Sequence, residues 1–307
     1  MTAIRRVVVG SRLSPLALAQ TEEVVGLLNT AHPDIQFEIV PLSTRGDRDK
    51  TSPLLSMDRG MFVKDIEAAL LSGEIDFAVH SAKDLPADLP TGLMIAAFSK
   101  REDPRDVVVN KWNVSFDDLP TGAILGTSSP RRVAQLKFRR PDLEFSLLRG
   151  NVGTRLEKSG TDDYDGVILA AAGIIRLGRA SEISGYLAPQ ICIPDVGQGA
   201  LAMESRANDG AILKLLSVVE HELTGIAVRA ERAFLTAVGG GCTVPVAAHA
   251  TVIGDSLSMS AMASSPDGSE LIKLEDTFNI SSPELAGEAL AAQLMERGAK
   301  KILEKRP

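Results

Sequence analysis

Gly126-Thr127-Ser128-Ser129-Pro130-Arg131-Arg132 follows the short apolar run Ala123–Leu125 and reads as the turn between a strand and a helix. Ser129 is a strong helix cap, and Pro130 suits the first helical position, where no backbone donor is lost. Free N–H groups at a helix start, hydroxyls and two arginines together suit an anion. The plainer reading is an ordinary cap followed by surface arginines. Leu148-Arg149-Gly150-Asn151-Val152-Gly153-Thr154-Arg155 repeats the pattern: strand, tight glycine turn, helix, with Arg at both ends. Two such turns in one parallel sheet share its carboxyl edge, where ligands collect.

Outward from this stretch the same alternation continues. Val7–Gly10 reads as a buried strand and Pro15–Leu28 as a helix capped by Ser14. Phe37–Leu42, Phe77–His80 and Leu93–Phe98 read as further strands, and Met61–Leu71 as an amphipathic helix closed by Ser72-Gly73. A second unit begins near Arg101-Glu102-Asp103-Pro104. Its strands are Val107–Asn110, Ala123–Leu125, Phe145–Leu148 and Gly166–Ala170, and its helices are expected after Ser129-Pro130, Gly150-Asn151 and Gly173. This is an α/β pattern with mostly parallel sheets.

The last third differs. Leu223–Val238 reads as one long helix ending in glycines, followed by strands Val244–Ile253, Leu257–Met262 and Leu271–Ile280 and a helix from Pro283 to Leu303. That order suggests a small α+β C-terminal domain. The expected division is residues 1–100 with 197–218 as domain 1, 101–196 as domain 2 and 219–307 as domain 3. No internal repeat is visible.

Composition narrows the function. A chain of 307 residues with 44% hydrophobic and 24% charged residues is an ordinary globular protein, too long for one core. Its net charge of −7, with nine Phe, two Tyr and one Trp, disfavours nucleic-acid binding. Arg131, Arg132, Arg139, Arg140, Arg149 and Arg155 nonetheless cluster, which in an acidic chain marks an anion site. No run approaches the roughly 20 apolar residues of a membrane span. Without a signal-like start, and with only Cys192 and Cys242, a cytoplasmic protein with reduced thiols is expected. Monomer is the expected state.

Three other segments could carry chemistry. His80-Ser81-Ala82-Lys83-Asp84-Leu85-Pro86 puts an imidazole, a base and an acid at a strand end, although such Lys-Asp turns are usually just solvated. The other histidines, His32, His221 and His249, show no metal-ligand spacing, so no metal is expected. Arg12 and Arg45 follow strands in the first half and Arg176 follows one in the second, suggesting a cleft lined with guanidiniums from two domains. Gly239-Gly240-Gly241-Cys242-Thr243-Val244-Pro245 leaves a thiol on an open loop suited to covalent attachment. Cys192, between Ile191 and Ile193, reads as a small core residue.

In order and spacing, these segments resemble the porphobilinogen deaminase (hydroxymethylbilane synthase) family. The matching stretches are Gly10–Ala17, Thr44–Asp47, His80–Pro86, Arg101–Asp106, Gly126–Arg132, Leu148–Arg155, Val196–Gly199 and Gly240–Cys242. The resemblance implies three domains, two of them periplasmic-binding-protein-like. It implies joining of four porphobilinogen molecules head to tail with loss of ammonia, on a dipyrromethane cofactor held by a thioether to Cys242. Carried over residue by residue, Asp84 is the catalytic acid. Lys83, Ser129, Arg131, Arg132 and Arg155 bind the cofactor, and Arg12, Arg149 and Arg176 bind substrate. The chemistry agrees, since each pyrrole carries an acetate and a propionate, and the electron-poor azafulvene left by ammonia is steadied by a carboxylate. One departure is the loop Ser56–Phe62, where Asp58 stands in a segment often rich in Gly and Lys. Rival readings are a small-anion binding protein, which leaves the Cys242 loop without purpose, and another cysteine-dependent transferase, which leaves the arginines unexplained.

Overall fold

The strand-to-helix alternation builds two five-stranded sheets and, after them, one three-stranded sheet. A computed structural model of the chain describes residues 6–43, 63–239, 245–265 and 268–303. Cys242 and the loop Ser56–Phe62 lie outside the described residues.

The chain opens with β1 (Arg6–Arg12), α1 (Pro15–Ala31), β2 (Gln36–Leu42), α2 (Lys64–Ser72), β3 (Phe77–Ser81) and β4 (Leu93–Phe98). Next come β5 (Asp106–Asn110), β6 (Ile124–Gly126), α3 (Pro130–Arg139), β7 (Glu144–Ser146), α4 (Val152–Glu157), β8 (Gly166–Ala170), α5 (Ala171–Arg176) and β9 (Gly185–Leu187). It continues through β10 (Leu201–Arg206), α6 (Gly210–Leu216) and α7 (Glu222–Ala237) to β11 (Val246–Ile253), β12 (Ser256–Ser264), β13 (Leu271–Asn279) and α8 (Pro283–Leu294). Two compact units result, Met1–Arg101 with Ala200–Gly225, and Glu102–Gly199 with Ile226–Pro307.

In the first unit the strand order is β2-β1-β3-β10-β4. β1 runs parallel to β2 and β3, while β10 runs antiparallel to both of its neighbours. Val7, Val9, Phe77, Val79, Leu201 and Met203 pack on one face with Val24 and Leu28 of α1. Ile66 and Leu70 of α2 cover Ala78 on the other. Ser14 caps α1 by accepting from the Ala17 N–H at 3.2 Å, with Pro15 in the first turn, as the sequence predicts.

The sheet of the second unit has the order β7-β6-β8-β5-β9, again with one strand, β5, antiparallel to both neighbours. Both faces are covered. Val108, Leu125 and Ile168 join one cluster, and Val107, Val109, Val167 and Leu169 the other. Strands buried on two faces read as continuous apolar runs, which is why Val107-Val108-Val109 was legible as a strand. Each buried Leu or Val contributes about 1.5–3 kcal/mol. The antiparallel three-stranded sheet β11-β12-β13 adds a further cluster in which Ala247, Met262 and Leu271 meet Ala134 of α3.

The two larger sheets are mostly parallel, as expected, each with one inserted strand reversed. Two expectations change. The helix expected after Gly173 begins before it, at Ala171, directly off the end of β8. The last helix reaches Leu303 but not in one piece: Gly298 sits at φ 102° and breaks it, and a short helical segment, Lys300–Leu303, follows the break.

Candidate functional site

In the first unit, the carboxyl ends of β1 and β3 bring together Arg12, Lys83 and Asp84. Arg12 is the last residue of β1. After β3 the chain makes a single tight turn, Ala82–Asp84, held by the Ala82 N–H on the Ala200 carbonyl (2.9 Å) and by fully buried Leu85. That anchoring leaves the Asp84 carboxylate 43% exposed, with Arg12 Nη1 at 3.9 Å from Oδ2. The Asp84 carboxylate thus stays open to solvent beside Arg12. Lys83 beside it is half-buried.

His80 does not join them. Its side chain is buried and its Nε2 lies 3.0 Å from Oε2 of Glu204, which is wholly buried on β10. The imidazole expected at the strand end therefore faces the protein interior.

In the second unit, Ser129 caps α3, its Oγ accepting from the Arg132 N–H at 3.4 Å. Arg131 and Arg132, predicted in the turn, are both only 5% exposed. They meet at Asp106: Arg131 Nη1 donates to Oδ2 at 2.7 Å, and Arg132 Nε and Nη2 donate to Oδ1 at 3.0 and 2.7 Å. Burial alone would raise the Asp106 carboxyl, but the two guanidiniums outweigh it and hold it far below the usual carboxylate range. Burial and the same carboxylate push the Cys192 thiol up to about 12, so Cys192 is the inert core thiol expected. Sequence reasoning named Asp106 in a matching stretch but gave it no role. The available signal was two arginines in a helix's first turn with no acid there to offset the dipole.

The remaining arginines lie on the same kind of edge. Asn151 caps α4 by accepting from Thr154 N–H at 2.9 Å, and Gly150 before it takes φ 118°, which favours glycine. Arg155 is partly exposed, its Nε donating to the Gly150 carbonyl at 2.7 Å, and Arg149 is half-buried. Arg176, at the end of α5, donates from Nη1 to the Gly199 carbonyl at 3.1 Å. Among the described residues no group of three or more metal-ligating side chains exists, and no helix is long and apolar enough to cross a membrane.

The family model "Porphobilinogen deaminase, dipyromethane cofactor binding domain" matches residues 7–214, and "Porphobilinogen deaminase, C-terminal domain" matches residues 226–296. The chain belongs to the porphobilinogen deaminase family. Curated deaminases agree across the whole length. The chain is 47% identical to the porphobilinogen deaminase of Geobacillus kaustophilus over 98% of each chain. It is 45% identical to that of Bacillus subtilis over 98% of this chain and 96% of that one. Membership places the chain among the transferases of tetrapyrrole biosynthesis. Among solved structures it is similar to the BvgS periplasmic VFT2 domain of Bordetella pertussis. That match has 17% identity and a TM-score of 0.41, and it covers 70% of this chain and 86% of that one.

The deaminase family's cofactor is an acidic dipyrrole, and the donors present suit it. Two buried guanidiniums share one carboxylate, and Arg131 Nε has no hydrogen-bond partner among the described residues. That leaves an unsatisfied N–H on a buried guanidinium, which a ligand carboxylate would satisfy.

Proposed function

We propose that this chain joins four porphobilinogen molecules head to tail, releasing ammonia at each step and hydroxymethylbilane at the end. Two buried guanidiniums on one carboxylate, with Arg131 Nε left without a hydrogen-bond partner among the described residues, carry this reading, because a ligand carboxylate would supply that partner. A dipyrromethane tethered by a thioether to Cys242 supplies, when bound, the acceptor pyrrole for the first substrate.

Arg131, Arg132, Arg155, Ser129 and Lys83 hold the cofactor's acetates and propionates, and Arg12, Arg149 and Arg176 hold those of incoming substrate. Guanidiniums suit this because their planar fork meets a carboxylate with two hydrogen bonds. Asp84, half-exposed beside Arg12, would face the pyrrole nitrogens. Its carboxylate would stabilise the positive charge that develops there as the C–N bond to ammonia breaks, and would take up the proton that the acceptor pyrrole's α-carbon loses once the new C–C bond has formed.

Residues 219–307, which include α7, the three-stranded sheet and α8, are read as a third domain whose sequence carries Cys242. The enzyme works as a cytoplasmic monomer on a small-molecule substrate, with no nucleic-acid or membrane partner. Its net charge of −7 supports the former absence.

Intact-mass measurement tests the cofactor directly. The purified chain is expected to carry two pyrrole units, each porphobilinogen less ammonia, and Cys242→Ser is expected to carry none. Fully active wild-type protein at its unmodified mass would refute the tether.

A further inference from the structure

Arginine in the first turn of a helix is disfavoured, because the backbone already concentrates positive charge there. α3 has two, with no acidic residue in that turn. Asp106 answers them from another element, as the first residue of the inserted strand β5. Its Oδ1 accepts from Arg132 Nε and Nη2 and from Gln198 Nε2 (2.9 Å). Its Oδ2 accepts from Arg131 Nη1 and from Cys192 Sγ (3.3 Å). Carbonyls finish the clamp: Ile193 accepts from Arg131 Nη1 at 2.6 Å and Ile168 from Arg132 Nη1 at 3.0 Å. One wholly buried carboxylate thus fixes Arg132 along its Nε–Nη2 edge and Arg131 through Nη1, while Arg131 Nε has no hydrogen-bond partner among the described residues. A cluster built only for stability would gain from apolar replacement, since buried ion pairs repay their desolvation poorly. Fixing direction is what such a clamp does well.

Resting on the reading in which Arg131 and Arg132 hold the cofactor's carboxylates, we propose that Asp106 is the positioning residue that aims both guanidiniums at the acidic dipyrrole and so governs its loading. The carboxylate itself touches no ligand. It sets which N–H groups remain for one. Displacements on the order of 1 Å cost about 10²-fold where orientation matters. Changing the length of the acid at 106 is therefore more informative than removing it.

The test uses the full chain as wild type, Asp106→Glu and Asp106→Asn. Each is followed by a thermal melt and by intact mass as purified. The cofactor-free chain is then incubated with porphobilinogen and the time course of the two-pyrrole adduct is read by mass. Asp106→Glu keeps the charge and shifts the guanidiniums by about one methylene. It is expected to melt cooperatively yet to load at least about tenfold more slowly than wild type, with Asp106→Asn slower still. Folded Asp106→Glu and Asp106→Asn that load at the wild-type rate would overturn the proposal alone. Loss of a cooperative melt in both variants would make the role structural and overturn it equally. A wild-type chain that never forms the adduct, or a folded Arg132→Leu that forms it normally, would overturn the underlying reading and this inference with it.

Discussion

β10 and β5 hold the same place in their sheets: each is inserted next to the third strand and runs antiparallel to both neighbours. The first residue of each faces the last residue of that third strand, Leu201 opposite Ser81 and Asp106 opposite Ala170. In the first unit that position is a core leucine, and half-exposed Asp84 stands in the turn just after the strand it faces. In the second unit it is a buried aspartate gripping two arginines. One scaffold therefore serves two ends. On the function proposed above, the apolar floor goes with the reacting acid, Asp84, and the acidic floor with the binding cations, Arg131 and Arg132.

The comparison breaks most visibly at Asp84. If the first unit's edge supplies the chemistry, Asp84→Ala should lower kcat by about 10³-fold or more, within the range for a group that stabilises charge and moves a proton. Its melting temperature should stay within about 2 °C of wild type, because an exposed carboxylate with one distant partner adds little stability. Steady-state kinetics beside a thermal melt checks both. Normal turnover would remove Asp84 from the mechanism and with it the division of labour between the sheets.

At Asp106 the expectation reverses, with stability the larger loss. Leaving two buried guanidiniums without their carboxylate costs about 3 kcal/mol, so Asp106→Asn should lower urea-unfolding stability by that order at pH 7. Because the folded-state pKa is depressed, the stabilisation is fully present above the unfolded value near 4 and is lost as pH falls below it. The gap between wild type and Asp106→Asn should therefore narrow by about 1 kcal/mol between pH 7 and pH 3. A gap independent of pH would mean that the charge of Asp106 does not stabilise the fold.

What could be read from sequence follows the range of the interactions. Val107–Val109 and Val7–Val9 were legible because strands buried on both faces must be apolar throughout. Ser14-Pro15 and Ser129-Pro130 were legible because a cap and its proline act within four residues. The reversed direction of β5 and β10 was not, since a strand's pattern is the same either way. β9 was missed because three residues, one of them Gly185, show no period. His80 and Asp106 were misjudged or left without a role because their partners, Glu204 and Arg131 with Arg132, lie far along the chain. The shared strand order escaped notice as well: it is a repeat of topology, carried by little more than a glycine and a Ser-Pro cap in each unit.

That glycine offers the finest test. Gly10 on β1 faces Ala78, the second residue of β3, and Gly126 on β6 faces Val167, the second residue of β8, so the two occupy one position in a common plan. Neither has a positive φ, so space and not backbone angle is what each site demands of its residue. A Cβ on Gly10 would come within 2.3 Å of Ile75 Cδ1, the tip of a flexible side chain that can rotate aside. A Cβ on Gly126 would meet the Tyr164 ring at 2.8 Å and Leu148 Cδ2 at 2.9 Å, with Leu148 Cβ behind at 3.2 Å. Tyr164 is also held by its hydroxyl donating to the Leu147 carbonyl at 2.9 Å, so it yields less readily. Gly126→Ala should therefore cost about 1–3 kcal/mol, as overpacking does, and Gly10→Ala less than about 1 kcal/mol. Denaturant melts of the two variants measure the difference directly. Equal losses would mean that the two sheets are packed alike at this point, and that the second is not built more rigidly around the strand that leads into Ser129 and the arginines.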